Sequence, residues 1–203
     1  MEKINKLLIA TKNEGKLKEI KALLKDLSVE VLSLKDMPEL SLPEEGNDYF
    51  KNACHKAEAV SAAFSLTAIA DDSGLEVDFL DGRPGPLSAR FGGEEISDTD
   101  RNKLLLQQLQ GIPQSKRTAR FRCVIALSIP GEKTMTVEAT CEGVIAQEIR
   151  GENGFGYDPV FYIPELGKTF AEIDKDVKNR ISHRGKALRE MKELLKKIFD
   201  FKD

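Results

Sequence analysis

Leu7-Leu8-Ile9-Ala10 is an apolar run too short for a helix and too continuous for a solvated loop. Such a run suits a buried strand. It leads at once into the polar loop Thr11-Lys12-Asn13-Glu14-Gly15-Lys16. Leu17, Ile20, Leu23, Leu24 and Leu27 then recur at helical spacing, with Lys and Glu between them. A buried strand, a polar loop and an amphipathic helix make the opening of an α/β fold.

The rest of the chain continues the alternation. Val29 to Leu34 alternates like a half-buried strand, and residues 35–46, with Pro38, Pro43 and Gly46, read as a loop. A second helix is predicted from about Asn47 to Ser65, with Phe50, Ala53, Ala57, Val60 and Phe64 on one face. Thr67 to Ala70 reads as a strand that ends in a loop, Asp71-Asp72-Ser73-Gly74, and Leu75 to Leu80 as a further strand. Asp81 to Pro86 combines two prolines with two glycines and must turn. Ser97-Asp98-Thr99-Asp100 suits a helix start ahead of Leu104, Leu105, Leu106 and Leu109. Residues 118–129 and 134–149 read as long strands, Gly151 to Pro159 as a loop, and 185–199 as a last amphipathic helix. The expected architecture is α/β around a mixed sheet.

With 203 residues the chain suits one domain, or one with a lobe, and we take 1–203 as a single domain. The net charge of −3 gives no reason to expect a nucleic-acid or anionic-membrane partner. Cys54, Cys123 and Cys141 form no CxxC pair, which argues against a disulfide framework and a thiolate zinc site. The N-terminus lacks the long apolar segment of a signal peptide, and no run approaches a spanning helix. The expected compartment is the reducing cytoplasm.

Three segments carry unusual polar groups. Thr11 to Lys16 opens a helix, where free N–H groups attract anions, and Lys16 adds a positive charge there. An ordinary polar loop capped by Asn is the alternative. The segment is not a P-loop: where that motif needs its first glycine, Gly15-Lys16 has Ala10, Gly167-Lys168 has Tyr162 and Gly185-Lys186 has Arg180. The dinucleotide fingerprint also fails, because Pro159 stands in place of its third glycine. In Asp71-Asp72-Ser73-Gly74 adjacent carboxylates repel, and a magnesium ion would resolve the conflict; a solvated turn would do so too. Glu44-Glu45-Gly46 is a second acidic segment. The third lies near the end: Gly154-Phe155-Gly156-Tyr157-Asp158-Pro159, then Lys178, then Ser182-His183-Arg184-Gly185. An aromatic ring can stack on a base while a polar neighbour reads its edge. Core packing is the plainer role for Phe155 and Tyr157. Together these segments offer cations for phosphates, carboxylates for a metal and an aromatic loop for a base.

At these residues the chain resembles the inosine/xanthosine triphosphate pyrophosphatase family. The matches run in the family's order: Thr11-x-Asn13-x-x-Lys16, Glu44-x-Gly46, Asn52-Ala53-x-x-Lys56-Ala57, Ala70-Asp71-Asp72-Ser73-Gly74-Leu75, Pro84-Gly85-x-x-Ser88-Ala89-Arg90, Phe155-Gly156-Tyr157-Asp158-Pro159, and Lys178 ahead of Ser182-His183-Arg184. The resemblance implies hydrolysis of deaminated purine nucleoside triphosphates (ITP, dITP, XTP) between the α- and β-phosphates. It also implies a homodimer of elongated, two-lobed subunits, with the active site in the cleft between lobes. By the same resemblance Thr11, Lys12, Asn13, Glu14, Gly15 and Lys16 bind the triphosphate, with Lys56 as a further contact. Glu44 and Asp72 hold Mg2+, with Glu45 the alternative to Glu44. Asp72 also accepts the proton of the attacking water, and Ser73 touches substrate. Phe155, Gly156, Tyr157, Asp158, Lys178, His183 and Arg184 form the base and sugar pocket. A pyrophosphatase for another modified nucleotide, as in the septum-formation-inhibitor family, is the alternative within the same chemistry; that family's first loop is rich in Ser and Arg, unlike Thr11 to Lys16. A nucleotide-binding module without hydrolysis would leave the acidic pair Glu44 and Asp72 without a use.

Overall fold

The computed structural model describes residues 4–93 and 95–199. They form two compact units, each built from separate stretches of chain. The first unit holds the residues up to Asp72, Cys123–Ala139 and the chain from Arg184; the second holds Ser73–Arg122 and Thr140–His183. The chain therefore changes unit between Asp72 and Ser73 and again between His183 and Arg184. These two crossings fall inside motifs singled out from the sequence, and two more lie at Arg122–Cys123 and Ala139–Thr140.

The strands are β1 (Lys6–Ile9), β2 (Glu30–Ser33), β3 (Ala68–Val77), β4 (Pro84–Gly85), β5 (Thr118–Ser128), β6 (Met135–Ile145), β7 (Phe161–Ile163) and β8 (Lys168–Thr169). They form one sheet in the order β2-β1-β3-β5-β6-β7-β8, with β4 paired to β3. β1 runs parallel to both β2 and β3, whereas β4 on β3, β7 on β6 and β8 on β7 are antiparallel. The sheet is mixed and the class is α/β, as the sequence implied.

In the first unit the strand alternation is direct. Leu7, Ile9, Ile69, Cys123, Ile125 and Leu127 face one core, closed by α1 (Glu14–Leu24) and α5 (His183–Ile198). Leu8, Ala10, Ala68, Ala70, Val124 and Ala126 face another, closed by α2 (Tyr49–Phe64) through Ala53, Ala57 and Val60. A strand buried on both faces must be apolar at every position, which is why Leu7 to Ala10 is unbroken. Each of its large side chains contributes roughly 1.5–3 kcal/mol by leaving water. In the second unit α3 (Asp98–Gln108) and α4 (Lys175–Ile181) pack on a single core containing Phe121, Phe161 and Phe170.

Caps set the helix starts. Asn13 accepts from the Lys16 N–H at 3.0 Å, Asp48 from the Phe50 and Lys51 N–H groups, and Ser97 from the Asp100 N–H. Each occupies one of the donors that a helix start leaves open. The predicted second helix is thus trimmed to Tyr49–Phe64 by Asp48.

The Asp71-Asp72-Ser73-Gly74 segment corrects the sequence reading. It is not a loop after a strand; it lies inside β3, which continues to Val77 before a 3-10 turn at Asp78–Leu80. Asp71 and Asp72 are each only 2% exposed. Acidic pairs mark turns because water solvates them, but here protein cations and an amide take water's place. Gly74 has its own reason: a Cβ there would stand 2.0 Å from the Gly85 carbonyl oxygen. Ser88 closes this approach, accepting from the Leu75 N–H at 2.8 Å and donating to the Gly85 carbonyl at 2.6 Å. The Pro84-Gly85-x-x-Ser88 motif is a clasp on β3.

Candidate active site

The first unit gathers a cluster of buried charges. Asp71 and Asp72 project from β3, Lys16 from the start of α1, Lys56 from the middle of α2 and Arg184 from α5. Asp71 Oδ2 meets Lys16 Nζ at 3.0 Å and Arg184 Nε at 3.3 Å. Arg184 Nη1 also donates to Glu19 on α1 at 2.5 Å. Lys56 Nζ donates to the Asp71 carbonyl at 2.8 Å and to Glu45 Oε1 at 2.7 Å, and it lies 3.7 Å from Asp72 Oδ1. Asn52 is the tie between the acidic loop and β3. Its amide donates to Asp72 Oδ2 and to the Gly46 carbonyl, while its own oxygen accepts from the Gly46 N–H, all at 2.8 Å.

The two aspartates are shifted in opposite directions although they are neighbours. Burial by itself would raise both. At Asp71 the charges of Lys16, Arg184 and Lys56 outweigh burial and hold the carboxyl well below the usual range. At Asp72 burial prevails, helped by the like charge of Glu45, and the carboxyl is pushed up despite Lys56, Lys16 and Asn52. Burial lowers the Lys56 ammonium less than Asp72, Asp71 and Glu45 raise it, so Lys56 stays charged. A neighbouring pair whose environments pull in opposite directions is a hallmark of acid–base sites. Cys123, beneath this cluster, is pushed up to about 12 by burial and is chemically quiet.

Placement of the first loop is more open. Lys12, Asn13 and Glu14 are exposed, and Thr11, Gly15 and Lys16 are half-buried. The Asn13 oxygen is spent on the cap, and Thr11 Oγ1 accepts from the Asn13 N–H. Glu14 pairs with Lys35. In the acidic loop Glu44 is exposed, and Glu45 is the carboxylate drawn to Lys56.

The second unit holds the aromatic loop. Asp158 Oδ2 accepts from the Phe155 N–H at 2.9 Å and from Lys178 Nζ at 2.5 Å. Gly154 has φ +79°, and a Cβ there would fall 1.9 Å from Asp158 Oδ2. Only glycine allows this closure. Lys178, on α4, sits 4.9 Å from the centre of the Phe155 ring, within cation–π range. Tyr157 is buried in the core, and its hydroxyl donates to the Ser88 carbonyl at 2.9 Å. His183 is buried and stacks on Phe121 with ring centres 4.6 Å apart and planes 12° from parallel. Ser73 is half-buried on β3.

The residues named from the sequence thus fall into two groups: Lys16, Lys56, Asp72 and Arg184 in one unit, Phe155 to Asp158, Lys178 and His183 in the other. The model of the Ham1 family matches residues 7–194. The chain belongs to the Ham1 family. A Ham1-family relative in Desulforamulus reducens, named a dITP/XTP pyrophosphatase, is 51% identical over 195 residues, covering 96% of this chain and 97% of the relative. One of the same name in Bacillus subtilis is 49% identical, covering 93% and 96%. The solved Ham1 protein of Staphylococcus aureus superposes with a TM-score of 0.85 at 40% identity, covering 96% of this chain and all of that one. A Mycobacterium abscessus structure, described as a nucleoside-triphosphatase and dITP/XTP pyrophosphatase, gives 0.75 at 41% identity, covering 92% and 98%.

Glu19 and Asn52 belong to the charge cluster but are absent from the sequence-based set. Asn52 stood inside a quoted motif, so its signal was present. Glu19 gave none, because a Glu among helical lysines reads as a solvated face.

Among the described residues no group of three or more His, Cys, Asp or Glu side chains could hold a metal ion. Magnesium does not require one, since it keeps waters and takes one or two carboxylates plus substrate phosphates. Asp72 and Glu45 supply two carboxylates on the same lysine. Asp72 is also harder to ionise than an ordinary aspartate, so a cation's field is what it lacks. The donor set fits magnesium.

Proposed function

We propose that this chain is a magnesium-dependent pyrophosphatase that hydrolyses the deaminated purine nucleotides dITP, ITP and XTP to the monophosphate and pyrophosphate. The observation that carries the reading is the split pair on β3: Asp71 is held ionised by Lys16 and Arg184, while burial raises Asp72. The names of the Ham1 relatives support the substrate class.

In this reading water attacks the α-phosphorus, its proton passes to Asp72, and the bond from that phosphorus to the β-phosphate oxygen breaks. A carboxylate pushed upward by burial is a stronger base than a free one, which suits it to this transfer. Bound magnesium would neutralise phosphate charge and lower the pKa of a coordinated water. Lys16 offers a half-buried cation to the phosphates, and Asp71 fixes where that cation points. Lys56 is engaged by Glu45, Asp71 and Asp72, so its part is to hold the carboxylates in place.

Base selection falls to the second unit. Hypoxanthine and xanthine carry an acceptor at O6 where adenine carries an amino donor. A buried donor such as His183 is satisfied by O6 and left unpaired by adenine, a strong basis for rejection. Arg184 spends Nε and Nη1 on Asp71 and Glu19, which supports a part beside the phosphate-side charges rather than at the base. A cytoplasmic homodimer is part of the same reading, and molecular mass by light scattering tests the dimer.

Pyrophosphate release from dITP, XTP, dGTP and dATP, with magnesium and with chelator, tests the whole reading. Release from dITP and XTP alone, lost with chelator and in Asp72→Asn, is the expected result. Equal release from all four would refute the base selection, and full activity in Asp72→Asn would refute the catalytic assignment.

A further inference from the structure

Gly156 sits in the loop read here as the base-recognising segment, and neither of its backbone polar groups is left to that loop. Its N–H donates to Asp98 Oδ2 at 2.8 Å, and its carbonyl accepts from Asn102 Nδ2 at 2.9 Å. Asp98 and Asn102 are four residues apart on α3, so they share one face of that helix. Two side chains of one rigid element therefore grip a single glycine from both sides of its α-carbon. Gly156 has φ +61°, the left-handed conformation that glycine adopts without strain.

The platform is itself fixed. Asp98 Oδ1 pairs with Arg101 Nη1 at 2.8 Å. Arg101 is buried and also donates to the carbonyls of Phe91 and Ile96. Asn102 is 2% exposed, and its oxygen has no hydrogen-bond partner among the described residues. A buried amide with an unpaired oxygen is a poor choice for stability alone, since leucine would fill the space without that penalty. Local rules are broken in this way mostly where function is served.

We propose that α3 is the platform that sets the pose of the base-reading loop, with Asp98 and Asn102 as positioning residues for base selection. This rests on the reading of Phe155 to Asp158 as the base-contacting segment. A loop held at Gly156 keeps Phe155, Asp158 and the attached Lys178 in one arrangement. A loop released at Gly156 can shift to admit the 2-amino group of guanine, while the phosphate-side residues of the other unit are unchanged.

The test compares kcat/KM for dITP and dGTP in the wild type and in Asn102→Leu, Asp98→Ala and Asp98→Asn, with thermal melting of each protein. Asn102→Leu and Asp98→Ala should lower the dITP:dGTP preference about tenfold, the scale of a lost selective contact. The change should come from a gain on dGTP, and Asn102→Leu, which leaves the Gly156 carbonyl unpaired but relieves the unpaired Asn102 oxygen, should remain folded with a melting point near the wild type's. Asp98→Asn keeps an acceptor for the Gly156 N–H and should retain most of the preference. A helix with only a structural role would lower stability and activity on both substrates together, leaving the ratio fixed. Unchanged ratios in folded Asn102→Leu and Asp98→Ala, beside a selective wild type, would overturn the role of α3 alone. A wild type that does not discriminate would overturn the base-loop reading and this inference with it.

Discussion

The two units are built for different kinds of recognition. The cluster around Asp71 and Asp72 consists of buried charges on charges, with Lys16, Lys56, Arg184, Glu19 and Glu45 all engaged. The loop around Gly156 consists of backbone groups held by neutral or singly charged side chains and by packed rings. Charges act over distance and bind any triphosphate alike. Held backbone geometry is short-ranged and tells one base edge from another. On the proposed reading, rate and selectivity reside in different parts of this molecule and can be altered separately.

The largest effect should come from Asp72→Asn. It removes the proton acceptor and should cut kcat by about 10²–10⁴-fold, the usual worth of a general base. The loss should be the same for dITP and XTP, because the base-reading loop is untouched. Steady-state kinetics on both would break the division if the two losses differed. Melting should show no fall in stability, since an ionised buried carboxylate is a cost that the amide avoids.

Asp71→Asn should do the opposite. Asp71 is lowered in the folded state, so it contributes stability that is present above the unfolded pKa of about 3.9 and is lost as pH falls through the folded value. Taking away its charge leaves Lys16 and Arg184 undercompensated, and breaking a buried pair costs about 3–5 kcal/mol. Urea unfolding at neutral pH measures this. A variant as stable as the wild type would show that the cluster is not held by Asp71. The pH profile sharpens the same contrast. Asp72 must be ionised to act, so log kcat should rise with pH by about one unit per pH unit on the acid limb. In the metal-free protein the Asp72 carboxyl should titrate above a free aspartate, because burial raises it, and bound magnesium should draw that titration down.

The sequence made some of this legible and hid the rest for identifiable reasons. Leu7 to Ala10 is apolar at every position because both sheet faces are covered, so local pattern and tertiary environment agree. Asp71 to Gly74 reads as a turn because the partners that make it a buried strand are far away in the chain: Lys16, Lys56 and Arg184 for the charges, Gly85 and Ser88 for the glycine. Lys16 and Asp72 stand out as a cation at a helix start and a member of an acidic pair, whereas Lys56 is marked only by the family resemblance. Asp98 was visible only as a helix start, since its bond to the Gly156 N–H joins residues 58 apart. The sequence reading puts Glu44 ahead of Glu45, whereas Glu45 is the one drawn to Lys56, because a loop without regular period does not fix which of two neighbours turns inward.

The smallest effect should come from Tyr157→Phe, and it probes how tightly the base-reading loop is held. The Tyr157 hydroxyl donates to the Ser88 carbonyl, and Ser88 Oγ in turn clasps Gly85 and Leu75. Removing the hydroxyl leaves the ring in its core position and one carbonyl unpaired, a loss of about 1 kcal/mol. The unfolding free energy from urea titration should fall by that amount, and kcat on dITP should hold. Selectivity should change less than in Asn102→Leu, because Tyr157 keeps its packing while Gly156 stays gripped by α3. A larger loss of selectivity in Tyr157→Phe than in Asn102→Leu would move the control of the loop from α3 to the Ser88 clasp. The clasp also holds β3 directly beyond Asp72, so such a result would mean that rate and selectivity share a support after all.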